Sequence, residues 1–138
     1  MGEGRTAACL AVGSELMGDR RLDSNSLTVT RTLARYGVPV CEKRVVGDSV
    51  ELVAAAIREL VARHDLVVIT GGLGPTADDV TRDAVALAVG RPIAVDAEVE
   101  GWIRERYAEL GRRMPEICST MARVVEGSRP LRNRRGSA

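Results

Sequence analysis

Aromatic side chains are scarce: they make up 2% of the 138 residues, with one Trp, two Tyr and no Phe. A core must therefore be assembled from Val, Leu, Ile and Ala, and Trp102 and Tyr107 read as packing residues rather than as a base-stacking platform. Histidine occurs once, at His64, which argues against a His-based triad or a zinc site. Lysine occurs once, at Lys43, and the arginines are scattered. The formal net charge is only +1, so no global field favours nucleic acid or a membrane surface. The three cysteines, Cys9, Cys41 and Cys118, form no CxxC or ligand-like spacing, which suggests reduced thiols and a cytoplasmic location. No apolar stretch approaches the ~18 residues of a membrane span, and the first residues lack the pattern of a signal peptide.

What is present is ordinary for one globular domain: 45% hydrophobic and 28% charged residues, at a length that can bury a core without staples. No repeat and no linker between two domains is visible. Residues 7–12 form a short apolar run ended by Gly13, read as a strand buried on both faces. A helix is expected over 24–36 with Gly37 as its stop, then an extended segment over 38–46. Ser49 is a good N-cap for an amphipathic helix carrying Val50, Val53, Ala54, Ile57, Leu60 and Val61. Residues 66–70 are the clearest buried strand. A loop follows over 71–78, then a helix over 79–89 stopped by Gly90. This β-α-β-α-β-loop-α order predicts a mostly parallel sheet with helices on both faces. An extended piece over 91–95, a polar helix over 97–110 and one short helix within 116–125 complete the reading. The Arg-, Gly- and Ser-rich residues 127–138 read as a disordered tail.

Parallel strands bring their carboxyl ends to one edge, where ligands sit. Three segments meet that description: Gly13-Ser14-Glu15, Gly47-Asp48, and the glycine loop Thr70-Gly71-Gly72-Leu73-Gly74-Pro75-Thr76 with Asp78 and Asp79. The glycines leave backbone N–H groups uncovered, and the next helix aims its N-terminus at the same space, so an anion is the natural guest. The loop is not a P-loop, because the chain has no GxxxxGK[ST]. Two aspartates beside a phosphate would repel it unless a divalent cation such as Mg²⁺ bridged them, which points to a metal held among Glu15, Asp48, Asp78 and Asp79. Against that stands a plainer reading: Asp78 and Asp79 cap the helix, and Thr76-x-x-Asp79 forms a capping-box variant. Glu15 and Asp48 equally suit solvated turn positions. Ser14 and Asn25 are candidates for substrate contact, although Ser24 or Asn25 would also serve to cap the first helix.

Taken in order, Gly13-Ser14-Glu15-Leu16, Asp23-Ser24-Asn25-Ser26, Val45-Val46-Gly47-Asp48, the run from Thr70 to Arg82, and Arg112-Arg113-Met114-Pro115 resemble the amino-terminal domain of the CinA competence/damage-inducible family. That domain is related to the MoaB/Mog molybdopterin-binding fold, so the resemblance implies a three-layer α/β/α sandwich. In the wider family the glycine loop and two aspartates shape a pterin-phosphate site, and by position they match Gly71, Gly72, Gly74, Asp48 and Asp79. Leu73 stands where the Mog branch usually has Thr, which favours the CinA branch. The resemblance implies a phosphorylated small-molecule ligand, nucleotide or pterin, with Thr70 and Thr76 beside the glycines at the phosphate. It implies Asp48 and Asp79 as catalytic residues of a metal-dependent ADP-ribose pyrophosphatase. Molybdopterin adenylylation as in the Mog branch, and a binding module or inactive remnant without chemistry, stay open as alternatives, as does a homo-oligomer. The family pattern continues after the present end, so the domain is expected to be incomplete at its carboxyl side. No deamidase activity is expected.

Overall fold

The computed structural model describes residues 4–136. Its centre is β1 (Ala7–Val12), whose six residues are all buried. β1 is flanked on both sides by parallel partners, β2 (Val40–Val46) and β3 (Leu66–Thr70), in the order β2-β1-β3. A strand covered above, below and at both sides has no contact with water, which is why it reads as an unbroken apolar run. Alternate side chains leave it on opposite faces. Ala8, Leu10 and Val12 join Val53, Ala54, Ile57 and Leu60 of α2 (Val50–Val61) and Val80 and Ala84 at the start of α3 (Thr81–Val89) in one core. The other face is covered by α1 (Ser24–Ala34). The result is the three-layer α/β/α arrangement with a parallel sheet.

Local chemistry accounts for most boundaries. Ser49 caps α2 by accepting a hydrogen bond from Leu52 N–H at 3.4 Å, and Gly90 ends α3 in the left-handed conformation at φ 65°. Asp96 caps α4 (Ala97–Glu109) by accepting from the Glu98 and Val99 N–H groups at 2.9 and 3.0 Å. α1 is capped by Asp23, which accepts from Ser26 N–H at 3.0 Å, rather than by Ser24 or Asn25, which lie inside the first turn.

Two expectations are corrected. α3 begins at Thr81 rather than Asp79, with no side chain capping it, so neither Asp78 nor Asp79 is a helix cap. The residues expected to form one short helix divide into a 3-10 segment, Glu116–Ala122, and a strand, β5 (Arg123–Val125). β5 pairs antiparallel with β4 (Ile93–Val95) in a separate two-stranded sheet. Strands of three residues are too short to show an alternation, and their partner lies about thirty residues away. α4 and the 3-10 segment enclose a second small core of Ile103, Cys118, Met121 and Ala122, with Val99, Tyr107 and Met114 packed on it.

Of the tail expected over 127–138, residues 137–138 lie outside the described residues. Residues 127–136 carry no helix or strand, but side-chain bonds tie them down: Ser128 Oγ donates to Val125 O, and Arg132 pairs with Glu105. Among the described residues no helix is long and apolar enough to cross a membrane.

Candidate phosphate-binding site at the carboxyl edge of the sheet

Because β1, β2 and β3 run in the same direction, the segments following Val12, Val46 and Thr70 emerge at one edge. They interlock there. Gly13 N–H donates to Val46 O at 2.9 Å. Ser14 N–H donates to Asp48 Oδ2 at 3.0 Å, and Asp48 N–H donates back to Ser14 Oγ at 3.0 Å. Asp48 and Ser14 thus fasten the β1 and β2 turns to each other. The third segment crosses the end of β1. Gly71, at φ 86°, passes so close to the Val12 carbonyl that a Cβ would collide with it. Gly72, at φ 63°, leaves no room for a Cβ beside Thr81 Oγ1. Both positions need glycine, for conformation and for space together. From the far side the loop is held by buried Thr81, whose hydroxyl donates to Gly71 O at 2.7 Å and whose N–H donates to Gly72 O at 3.1 Å.

Asp79 folds back into the loop it follows. Its Oδ2 accepts from Thr76 N–H at 2.9 Å and Thr76 Oγ1 at 2.8 Å. Burial alone would push its pKa up, but the Thr76 side-chain and backbone bonds, a further bond from the Gly74 backbone and the charge of Arg82 outweigh it. The carboxyl is held below its ordinary 3.8. An ionised Asp79 therefore shapes residues 74–79, and its bond from Thr76 N–H is the reciprocal half of the capping box that the Thr76-x-x-Asp79 spacing implied, made at a turn rather than at the start of a helix.

Beside this turn lies a cavity of about 320 Å³ bordered by Gly74, Pro75, Thr76, Asp79, Arg82 and Arg123. Arg82 is half-buried, has no carboxylate within 4 Å among the described residues, and reaches only Gly74 O, at 3.5 Å. Burial is the main reason its pKa is lowered, with Arg123 acting in the same sense and Asp79 and Asp83 opposing. Arg123 is already satisfied, donating from Nη1 and Nη2 to the Asp83 carboxylate at 3.0 and 2.6 Å. The sequence reading missed both arginines as site residues. Arg82 had a signal, one residue past the motif threonine at the start of a helix. Arg123 had none, since it arrives from β5.

Thr70 ends β3, half-buried, opposite Ala11. Glu15 is exposed on a 3-10 turn, Ser14–Met17, with its carboxylate folded against Gly13. Asn25 and Asp78 are exposed, with no side-chain hydrogen bond among the described residues. No three His, Cys, Asp or Glu side chains among the described residues form a group that could hold a metal ion, so Glu15, Asp48, Asp78 and Asp79 do not assemble a ready ligand set.

Comparison with known proteins places this architecture. The model of the family described as "Probable molybdopterin binding domain" matches residues 8–131. A CinA-like protein of Solibacter usitatus is 46% identical over 132 residues, and one of Frankia casuarinae is 40% identical over 137, each match covering 96% of this chain and 32% of the relative. The chain thus spans about a third of the length of the curated relatives it matches. Among solved structures, CinA from Thermoplasma acidophilum superposes with a TM-score of 0.89 at 29% identity, covering 98% of this chain and 79% of that one. MoaB from Thermus thermophilus shares the fold at a TM-score of 0.59 and 22% identity, covering 91% of this chain and 75% of that one. The chain belongs to the molybdopterin-binding-domain family, as a CinA-like amino-terminal domain of MoaB/Mog fold.

Proposed function

We propose that this domain binds a phosphorylated small molecule, a nucleotide or a phosphorylated pterin, with the phosphate at the Arg82 guanidinium beside the glycine loop. The observation that carries the reading is Arg82: a half-buried cation without an ion-pair partner among the described residues, opening on a cavity walled by the glycine loop. A guanidinium is suited to this because its planar fork matches phosphate oxygens two at a time. Asp79 supports the site by fixing the turn, and Asp48 with Ser14 by fixing the neighbouring turns.

Among the described residues no three His, Cys, Asp or Glu side chains cluster, so the chain by itself offers no closed metal cage, and a Mg²⁺ here would need ligand phosphate oxygens beside one or two carboxylates. No step is therefore routed through a metal. The finer reading keeps Asp48 and Asp79 as candidate catalytic residues in cleavage of an ADP-ribose-type diphosphate bond, and molybdopterin remains the alternative ligand.

Calorimetric titration of ADP-ribose, with and without Mg²⁺, tests both levels. Arg82→Met is expected to weaken binding roughly ten- to hundredfold, the value of one charge-assisted contact, without loss of the folded signal. Unchanged affinity in that variant would reject the site. Affinity indifferent to Mg²⁺ and no product over the same incubation would leave a binding module and remove the hydrolase reading.

A further inference from the structure

Arg112-Arg113-Met114-Pro115, one of the ordered motifs of the sequence, does not border the cavity beside the glycine loop. It borders another. A basin of about 680 Å³ lies between the last turns of α4 and the segment leading into the 3-10 stretch Glu116–Ala122, and Arg104, Arg112, Arg113, Glu116 and Ser119 are among the residues lining it. Gly111, at φ 65°, turns the chain back at the end of α4. Met114, packed on the second small core, pins the returning segment. Arg112 and Arg113 are therefore presented to the same space as Arg104 from an anchored backbone.

Three guanidinium groups thus line one basin in a chain whose formal net charge is only +1. Local needs do not account for them. The last carbonyls of α4 are already taken by backbone N–H groups: Leu110 donates to Arg106 O at 3.3 Å, Gly111 to Ala108 O at 2.9 Å and Arg112 to Tyr107 O at 2.9 Å. The helix end is therefore satisfied without arginine side chains. Among the described residues neither the Arg112 nor the Arg113 side chain has a hydrogen-bond or ion-pair partner. Arg104 pairs with Glu100 at 3.4 Å, and that carboxylate also accepts from Ser119 Oγ at 2.7 Å. Among the described residues Glu116 is the only acid lining the basin, so positive charge prevails there. A guanidinium fork matches phosphate or carboxylate oxygens two at a time, and several forks around one space suit a guest with several anionic groups. We propose that this basin is a second binding site, for a small polyanion carrying two or more phosphate or carboxylate groups, with Arg112 and Arg113 as its main donors and Arg104 as the third. The site is separate from the glycine loop and stands whether or not Arg82 holds a phosphate.

Inorganic pyrophosphate and citrate probe the two sources of such charge. Calorimetric titration of the whole chain carrying Arg82→Met keeps the glycine-loop site out of the reading. One equivalent of pyrophosphate or of citrate is expected to bind, and the tighter of the two names the anion class. Arg112→Met and Arg113→Met together are expected to weaken that binding about tenfold, the scale of two exposed charge contacts. Both side chains are exposed, so the thermal melt should not move. Glu116→Gln is expected to act in the opposite direction and tighten binding, because a carboxylate at the wall repels the guest. Arg31→Met with Arg35→Met, at the end of α1, should leave affinity as it was. No binding of either probe, no loss in the double variant, no gain in Glu116→Gln, or an equal loss in the α1 variant would each overturn the proposal, the last by reducing it to diffuse charge attraction.

Discussion

At the scale of single residues, the loop is built from positions that tolerate no change. Gly71 combines a left-handed φ with a close approach to the Val12 carbonyl. Gly71→Ala is expected to cost at least ~1–2 kcal/mol from the backbone conformation alone, plus the collision, and a thermal melt will read it as a lowered Tm. Asp79→Asn removes the charge from a carboxylate that accepts two bonds from Thr76. Residues 74–79 are expected to lose hydrogen-exchange protection in that variant while β1 keeps its own, and an unchanged pattern would return Asp79 to a purely chemical role. At the opposite rim, Glu42 is held below its ordinary 4.5, first by the hydrogen bond from Arg44, then by that from His64, with the charges of Arg44 and Arg63 adding to them against burial. A depressed carboxylate stabilises the fold above its unfolded-state pKa, and the contribution is lost as pH falls through the depressed value. Denaturant midpoints are therefore expected to drop below about pH 4.5, and Glu42→Gln should flatten that acid limb while lowering the plateau at neutral pH.

At the scale of elements, α1 and α2 are opposites. α2 buries Val53, Ala54, Ala56, Ile57 and Leu60 against the sheet. α1 buries only Ser26, and its Thr28, Thr30 and Thr32 hydroxyls donate back to carbonyls four residues earlier. Such back-bonding adds little to helix stability, so α1 depends on a thin contact with β1. Amides of α1 are expected to exchange well before those of α2, and Leu60→Ala in α2 should cost ~2–5 kcal/mol as a buried cavity opens. Equal protection of the two helices would show that α1 is better anchored than its burial suggests. These two helices also mark what a sequence can convey. α2 was legible from its cap and its apolar spacing. The start of α3 was not, because Asp78 and Asp79 look like helix-capping residues, whereas Asp79 closes a local turn on Thr76 and Thr81, bonded back to Gly71 and Gly72, opens the helix.

At the scale of the whole molecule, parallel pairing on both sides of β1 gathers Ser14, Asp48 and Gly71 at one edge although they are far apart in the chain. Among the described residues β2 and β3 each keep one unpaired edge. β2 guards its edge with Lys43 and Arg44, whereas β3, Leu66–Thr70, carries no charge. Uncharged edges invite pairing with another chain, and the apparent molar mass from light scattering is expected to rise with protein concentration for this chain, a constant monomer mass counting against it. The sequence alone determined the elements whose physics is local: the apolar run of β1, the capped amphipathic α2, and the glycines whose backbone a loop of this kind requires. It also implied the shared edge, since alternating strands and helices leave parallel pairing as the economical topology. Tertiary structure alone decided which charges face the loop. Arg123 arrives from β5, and among the described residues Arg82 is left without a carboxylate partner, because side-chain direction and desolvation depend on neighbours that are remote in sequence. Among the described residues no three of the carboxylates at that edge cluster together for the same reason: topology brings turns together, but only packing aims the groups they carry.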